Sequence, residues 1–319
     1  MKIQRLIYIM QHPYKTCWDK YRDRIRIKNP FGKKELDTCY VIRCNQPGCG
    51  LFAIFMYVLD HLAYAEDMGY IPILESKRYK CLYKEKTSVN GTKDFWKYYF
   101  EPISSLTGKD CLKYKNIVLG RIRAPRYKGI YYYAEKGKNV LPSEAQIDEL
   151  YRLVRKYIRF QPQLQKNLDE KLSLLKGKRV LGIHVRGTDM YTAGRQHPVP
   201  TGETKDFSII DRILEEYRLD EIFLCTDTES TVEMFKEHYG EMVVTTEVMR
   251  QKDDSACGIH KDKKLGKSRA NHRYLLGLEV ITDMYLLAHC KVLICGPSNV
   301  AYAAMIYNHN HYEKIYYFV

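Results

Sequence analysis

The sequence predicts an α/β fold of two domains, each built around a parallel sheet. At 319 residues the chain has room for two domains of roughly 150 residues each. In the second half, an apolar strand, a polar loop and a helix follow one another repeatedly, which is typical of a doubly wound sheet. A separate strand–helix–strand pattern precedes this region. We therefore place the domains at 1–165 and 166–319.

The first domain contains a strand–helix–strand unit with a glycine-bearing loop. Gly69 follows the last apolar turn of the helix, as expected of a C-terminal cap. Gly48 and Gly50 lie in the loop before the helix, where free backbone N–H groups form a natural anion site. The predicted elements are a strand at 39–43, a helix from Leu51 to about Met68 and a strand at 70–75.

The rest of the first domain shows little regular pattern. Residues 1–38 are basic and poorly periodic, so we expect an extension that wraps another part of the protein. Residues 76–135 are rich in Lys and Tyr. Within them, the aromatic run 95–102 surrounds either an acceptor cleft or the core, and we favour the core. Residues 143–175 have the periodicity of one or two helices.

The second domain repeats one arrangement, in which a strand ends in a polar loop and a helix follows. In parallel sheets these loops lie at the carboxyl ends of the strands, where nucleotides bind. The pattern therefore predicts a nucleotide site. The strands are expected at 180–185, 221–225, 242–246 and 291–295, and the helices at 208–217, 229–238, 275–288 and 300–307.

The first of these strands runs directly into chemically active side chains. Alternation along a strand places His184 and Arg186 on one face and leaves the residues between them in the core. Gly187 opens the following turn, so Asp189 can fold back over the same place. An arginine there suits a phosphate, because its planar fork donates two parallel charged hydrogen bonds. The alternative is a satisfied ion pair at a strand end.

Polar residues also follow the other strands. Thr226 and Asp227 end one strand, and helix capping is the alternative to a ligand role for them. Ser298 or Asn299 caps the last helix, whose backbone N–H groups suit a diphosphate. Asp283 lies inside an apolar helix, where a carboxylate is unfavourable unless it is paired. It either binds the N–H donors of guanine or points outward.

Composition limits the partners and the compartment. The net charge is +14. The basic residues either bind a negatively charged partner or form a solvated face. Because no signature of the usual nucleic-acid-binding modules is present, we expect no nucleic-acid partner. The cysteines form no CxxC pair, so we expect no metal site. We expect a cytoplasmic protein whose thiols are reduced. The N-terminal apolar run is too short for a signal peptide or a membrane span, and peripheral membrane contact through the basic N-terminus stays open.

The ordered set of motifs resembles the α-1,6-fucosyltransferases, which include core fucosyltransferase and the rhizobial nodulation fucosyltransferase. Residues 182–189 are similar to the HVRxTD motif of that family, and the looser form HxRxxD occurs in protein O-fucosyltransferases. The strand end 225–227, Asp283 and Ser298 follow in the order of the family. Upstream, 48–50 resemble its Gly-Cys-Gly segment. The resemblance covers roughly residues 39–76 and 178–318.

This resemblance implies a GT-B-like fold of two Rossmann-like domains, with the donor site in the C-terminal one. It implies an inverting, metal-independent transfer of fucose from GDP-fucose to a glycan, such as a bacterial surface polysaccharide or oligosaccharide. Arg186 would bind the β-phosphate and stabilise the departing GDP, while His184 and Asp283 would hold the guanosine. We assign catalysis to Arg186 and Asp189, and donor binding to Gly48, Gly50, His184, Thr226, Asp227, Asp283, Ser298 and Asn299.

The chain also departs from the family pattern. Gly187 replaces a second arginine, Met190 replaces a lysine, and a downstream glutamate has no counterpart. The base that deprotonates the acceptor is therefore open between Asp189, His197 and Glu203. Two other functions stay open: a transferase that uses a different nucleotide sugar, and a catalytically inactive protein that binds glycans or nucleic acid.

Overall fold

Two separate sheets organise the chain, and each belongs to its own unit. The computed structural model describes residues 25–121, 141–186, 202–252 and 269–318. The first unit contains the described residues up to Arg121 together with Arg152–Gln161, and the second contains the rest. Both units combine helices with parallel strands, which confirms the α/β class. The domain boundary predicted after residue 165 falls inside a helix of the second unit.

The first unit is a four-stranded sheet with one long helix between two of its parallel strands. Its main elements are β1 (Ile25–Lys28), β2 (Lys34–Arg43), α1 (Leu51–Asp67), β3 (Ile71–Glu75) and β4 (Tyr114–Leu119). The strand order is β1-β4-β2-β3, in which β2, β3 and β4 are parallel and β1 is antiparallel to β4. Gly69 follows α1 with a φ of +63°, a conformation that suits glycine. The predicted strand–helix–strand unit is confirmed.

Two expectations for this unit are wrong. The described part of 1–38 is no extension, because β1 and the start of β2 belong to the sheet. Residues 76–135, where we expect little regular pattern, contain β4 between β1 and β2. Ile117, Val118 and Leu119 are all buried. A strand that is buried on both faces loses the alternation by which strands are recognised.

The aromatic run 95–102 packs in the core, which confirms the alternative that we favour from the sequence. The Trp96 and Phe100 ring centroids lie 4.5 Å apart, and Phe100 stacks on Phe160 at 5.4 Å. Phe160 belongs to the segment Arg152–Gln161, so these rings tie that segment to the first unit. The fully buried aromatic side chains of the run are Phe95, Trp96, Tyr98, Tyr99 and Phe100.

The second unit is a five-stranded, fully parallel sheet with helices between its strands. Helix α2 (Glu144–Tyr157) belongs partly to each unit. The remaining elements are α3 (Pro162–Lys171), β5 (Val180–Val185), α4 (Phe207–Glu216), β6 (Glu221–Thr226), α5 (Glu229–Tyr239), β7 (Val243–Val244), α6 (His272–Leu287), β8 (Val292–Cys295), α7 (Asn299–Asn308) and β9 (Lys314–Tyr317). The predicted alternation is confirmed, and β9 is an additional edge strand.

The strand order of this sheet has one point of reversal. The order is β7-β6-β5-β8-β9. The chain proceeds outward from β5 through β6 to β7, then returns to the other side of β5 and continues through β8 to β9. Ligands of open α/β sheets bind outside the carboxyl ends of the strands at such a reversal. The topology therefore singles out the loops after β5 and β8.

The two faces of β5 have different neighbours. Ile183 and Val185 belong to an apolar cluster that also contains buried side chains of α4 and α5. The opposite face lies against the end of α6, because a Cβ added to Gly182 would be 3.1 Å from the Leu287 side chain. Alternation places His184 on that second face. The prediction that His184 lies on the face opposite Ile183 and Val185 is confirmed, and both faces of β5 are buried.

Candidate functional site

Polar side chains gather at the carboxyl edge of the second sheet. Arg186 directly follows β5, Thr226 is the last residue of β6, and Ser298 lies in the loop after β8. Arg186 and Ser298 thus follow the two strands that flank the point of reversal. This position is where the topology predicts a ligand, and it is occupied by a cation and a helix N-terminus.

His184 is buried just below this edge. It pairs in register with Cys225 of β6 and Cys295 of β8, so the three residues form a row across the sheet. Burial lowers the pKa of His184 to about 3, and the nearby Arg186 charge acts in the same direction. The imidazole is therefore neutral at physiological pH and offers one hydrogen-bond donor and one acceptor. It suits a nucleoside better than a phosphate.

Asp283 projects from α6 into the same region. Its side chain is buried; the Thr246 hydroxyl donates to Oδ1, and the Cys225 thiol lies 3.7 Å from Oδ2. Burial raises the pKa of Asp283 to about 6, against the opposing effects of the Thr246 hydrogen bond and the Arg250 charge. The alternative in which Asp283 points outward is wrong. The carboxyl group keeps further lone pairs for a donor.

Neither Thr226 nor Asp227 caps the helix that follows them. Helix α5 begins after Thr228, which occupies the N-cap position without a side-chain capping bond. The Thr226 hydroxyl lies 3.4 Å from that of Thr228, and the Asp227 carbonyl accepts a 2.9 Å hydrogen bond from the Gln251 N–H. The capping alternative is wrong for both residues. The loop after β6 is held instead by the segment after β7.

Ser298 does cap its helix. Its hydroxyl accepts a 3.2 Å hydrogen bond from the Val300 N–H, and Asn299 is the first residue of α7. A helix N-terminus carries partial positive charge and free N–H groups, which favour an anion. Capping and anion binding are compatible here, because the serine side chain uses only one of the first-turn donors.

The two glycines assigned to donor binding belong to the first unit. Gly48 and Gly50 are exposed, and Gly50 is the N-cap of α1. The Leu51 N–H in the first turn of that helix already donates to the Tyr83 hydroxyl at 2.9 Å. A role for Gly48 and Gly50 in donor binding stays a prediction.

The candidates for the base are only partly described. Asp189 and His197 lie outside the described residues, as do Gly187 and Met190. Glu203 lies in a short 3-10 turn, Gly202–Lys205, and is exposed.

Two residues at this edge are additional to the predicted set. Thr246 follows β7 and binds Asp283, and it ends the strand that the sequence predicts at 242–246. The carboxyl-end rule, applied to this strand as to the others, would have found it. Arg250 has no sequence signal, because its burial depends on packing: its side chain is only 8% exposed, and Nη2 donates to the Thr246 carbonyl at 2.8 Å.

Three further findings concern the residues that the structure describes. In the ranges covered by the structure, no group of three or more His, Cys, Asp or Glu side chains is arranged to hold a metal ion. The cysteines of those ranges form no disulfide bond with one another. None of the helices that the structure describes combines the length and the apolar character needed to cross a bilayer.

Known proteins resemble this chain in sequence or in structure. The sequence model of Nodulation protein Z (NodZ) matches residues 144–317. Fucosyltransferase NodZ from Bradyrhizobium is 16% identical, with a TM-score of 0.47 over 84% of this chain and 92% of that chain. Another structure is NodZ alpha-1,6-fucosyltransferase soaked with GDP-fucose, at 16% identity and a TM-score of 0.47 over 85% and 92%. POFUT1 in complex with GDP-fucose is 12% identical, with a TM-score of 0.44 over 88% and 97%. No curated protein sequence matches the chain.

Proposed function

The chain belongs to the Nodulation protein Z (NodZ) family, and from this premise we propose that it transfers fucose from GDP-fucose to a glycan acceptor. One observation carries the proposal: Arg186 and the N-terminus of α7 flank the point of reversal in the second sheet. Two fixed positive groups at that place suit a diphosphate. The motif around Arg186, which resembles that of α-1,6-fucosyltransferases, supports the same donor. A GT-B-like pair of domains is part of this proposal.

In this mechanism the protein stabilises the leaving group. The bond between the fucose anomeric carbon and the β-phosphate oxygen breaks, and its electron pair stays on that oxygen. Arg186 and the first-turn N–H groups of α7, which Ser298 and Asn299 begin, would meet this growing negative charge. Because these groups supply the positive charge, we propose that no metal ion is needed. The acceptor hydroxyl would attack from the opposite face, and a base, with Asp189 as first candidate, would take its proton.

The guanine end would be read by neutral and acidic groups. Guanine presents two adjacent donors, N1–H and the exocyclic amine, and a carboxylate can accept from both. Asp283 supplies the carboxylate, and neutral His184 supplies a hydrogen bond beside it. Thr226 and Asp227, at the end of β6, would complete this wall of the donor pocket.

Nucleotide-dependent stabilisation tests the proposal. A ligand that binds only the folded state raises the melting temperature, so we expect GDP to stabilise the protein more than equal concentrations of UDP or CMP. The control is a repeat in moderate salt, because purely electrostatic binding weakens steeply with ionic strength. Preference for UDP would favour a different nucleotide sugar. Absence of any nucleotide effect would favour the inactive glycan- or nucleic-acid-binding protein.

Peripheral membrane contact is the second part of the proposal, within an otherwise cytoplasmic protein. The turn between β1 and β2 exposes 79% of Phe31, and Leu36 in β2 is fully exposed. Lys28, Lys33 and Lys34 near them are exposed as well. Exposed apolar side chains with lysines nearby suit the interface of an anionic bilayer.

The double variant Phe31→Ser, Leu36→Ser should therefore bind less to vesicles that contain phosphatidylserine, because it loses the apolar part of the contact. Co-sedimentation measures this loss. The matched control is Met242→Ser, which removes an exposed apolar side chain from the second unit. Equal binding by wild type and double variant, or equal binding to neutral vesicles, would contradict membrane contact through this turn.

A further inference from the structure

Arg250 is an enclosed cation that neither the motifs nor the proposed mechanism accounts for. It lies after β7, in a segment that pairs with the loop after β6: the Glu229 N–H donates to the Gln251 carbonyl at 2.6 Å, and the Gln251 N–H donates to the Asp227 carbonyl. These backbone bonds fix the segment against the carboxyl edge of the sheet. More than nine-tenths of the Arg250 side chain is therefore removed from solvent.

The local partners of Arg250 do not explain this burial. Nη2 donates to the Thr246 carbonyl at 2.8 Å, and Nη1 lies 3.9 Å from a carboxylate oxygen of Glu229, which is half exposed. Nε is buried and has no hydrogen-bond acceptor among the residues that the structure describes. A buried guanidinium with so little direct compensation is unfavourable unless a nearby negative charge offsets it.

That negative charge is available on Asp283. Thr246 connects the two residues, because its carbonyl accepts from Arg250 and its hydroxyl donates to Asp283. The Arg250 charge favours the ionised carboxylate, whereas Glu279 on the same helix disfavours it. Glu279 is itself paired with Arg269. Among the described residues, the thiol of Cys225 is a further titratable group against Asp283.

We propose that Arg250 is a positioning residue, which acts through Thr246 and its own charge to keep Asp283 ionised and oriented at the edge of the sheet. Arg250 acts through other protein groups and not by contact with the ligand, since its Nε is buried and its Nη2 donates to the Thr246 carbonyl. The consequence of this role for nucleotide recognition rests on the proposed function. The effect of Arg250 on Asp283 is independent of the proposed function.

A first experiment needs no ligand. The melting temperature is followed from about pH 5 to pH 8 for wild type and Arg250→Met, each with and without the additional substitution Asp283→Asn. The difference within each pair reports the titration of Asp283. Because a nearby opposite charge lowers a carboxyl pKa and its loss raises it again, Arg250→Met should move that titration upward, by about one unit. Arg250→Lys, which keeps the charge, should move it much less. An unchanged titration in Arg250→Met would overturn the proposal.

A second experiment measures GDP affinity across the same range. If the Asp283 pKa rises by one unit from about 6, Arg250→Met should bind GDP about five-fold more weakly than wild type at about pH 6, and almost equally at about pH 8. The difference should disappear when both proteins carry Asp283→Asn, as expected for two residues that act as one unit. The matched control is Arg212→Met, which removes an exposed arginine of α4.

The outcomes separate this inference from the proposed function. A loss of affinity that is equal at every pH would show a merely structural role for Arg250 and overturn the inference. A loss that persists beside Asp283→Asn would show that Arg250 contacts the nucleotide directly, with the same consequence. If wild type binds no GDP at all, the proposed function fails, and the ligand-free titration still decides the role of Arg250.

Discussion

Arg186→Ala should lose fucosyl transfer by a factor of about one hundred or more, because it removes a preorganised charge at the leaving diphosphate. Arg186 follows β5 and lies outside the apolar cluster of the sheet. The variant should therefore fold normally. Release of GDP from GDP-fucose, with and without a glycan acceptor, measures the loss. The melting temperature without ligand verifies that the fold is intact.

Two control variants make this result specific. Arg179→Ala removes the arginine directly before the same strand, where it forms an exposed pair with Glu313 and donates to the Tyr217 carbonyl. Such pairs contribute little to stability, so its turnover and its melting temperature should stay close to those of wild type. Arg186→Lys should be intermediate, since lysine keeps the charge without the planar fork. Normal turnover by a folded Arg186→Ala protein would contradict the mechanism.

Asp283→Asn should weaken GDP binding strongly while leaving the protein at least as stable as wild type. The pKa of Asp283 is about 6 in the folded state against a reference value of 3.8, so the folded protein holds this proton more tightly than the unfolded chain. Stability is therefore lost as the pH rises from about 4 to about 6, and the loss persists above that range. A shift of this size corresponds to about 3 kcal/mol near neutral pH. Asparagine carries no charge, so the Asp283→Asn variant avoids this loss of stability.

Denaturant unfolding and GDP titration, measured in parallel, test this prediction. The stability advantage of Asp283→Asn should shrink as the pH falls toward about 4, where wild-type Asp283 is itself neutral. Affinity for GDP should fall at least about ten-fold at neutral pH, because an amide cannot accept from both guanine donors. A variant that is much less stable, yet binds GDP normally, would assign Asp283 to the core alone.

These two residues also differ in how far the sequence could predict them. Arg186 follows a strand whose alternation and apolar character are visible in the consecutive residues 180–186, so its position at a strand end could be predicted without any neighbour. Asp283 is visible only as a charge in an apolar helix. The alternatives of burial and exposure stayed open, because the hydroxyl that binds it is 37 positions away in the chain.

The two sheets show the same limit at the level of the fold. The strand–loop–helix rhythm of the second unit could be predicted because each element carries its own local signal. Strand β4 could not, since burial on both faces removes alternation, and the Ile-Val-Leu run that remains has no period. Strand order is likewise absent from local patterns. Only the order β7-β6-β5-β8-β9 reveals that Arg186 and Ser298 flank one point of reversal.

The sequence by itself determined the α/β class, the elements of the second unit and the motif that ends in Arg186, because periodicity, turn residues and motif spacing are local properties. The tertiary structure decided which of the polar residues meet. It made His184 neutral, buried Asp283 against Thr246 and enclosed Arg250 behind them. Burial and charge proximity arise from packing between distant segments, and they determine the protonation states on which the proposed recognition of a nucleotide depends.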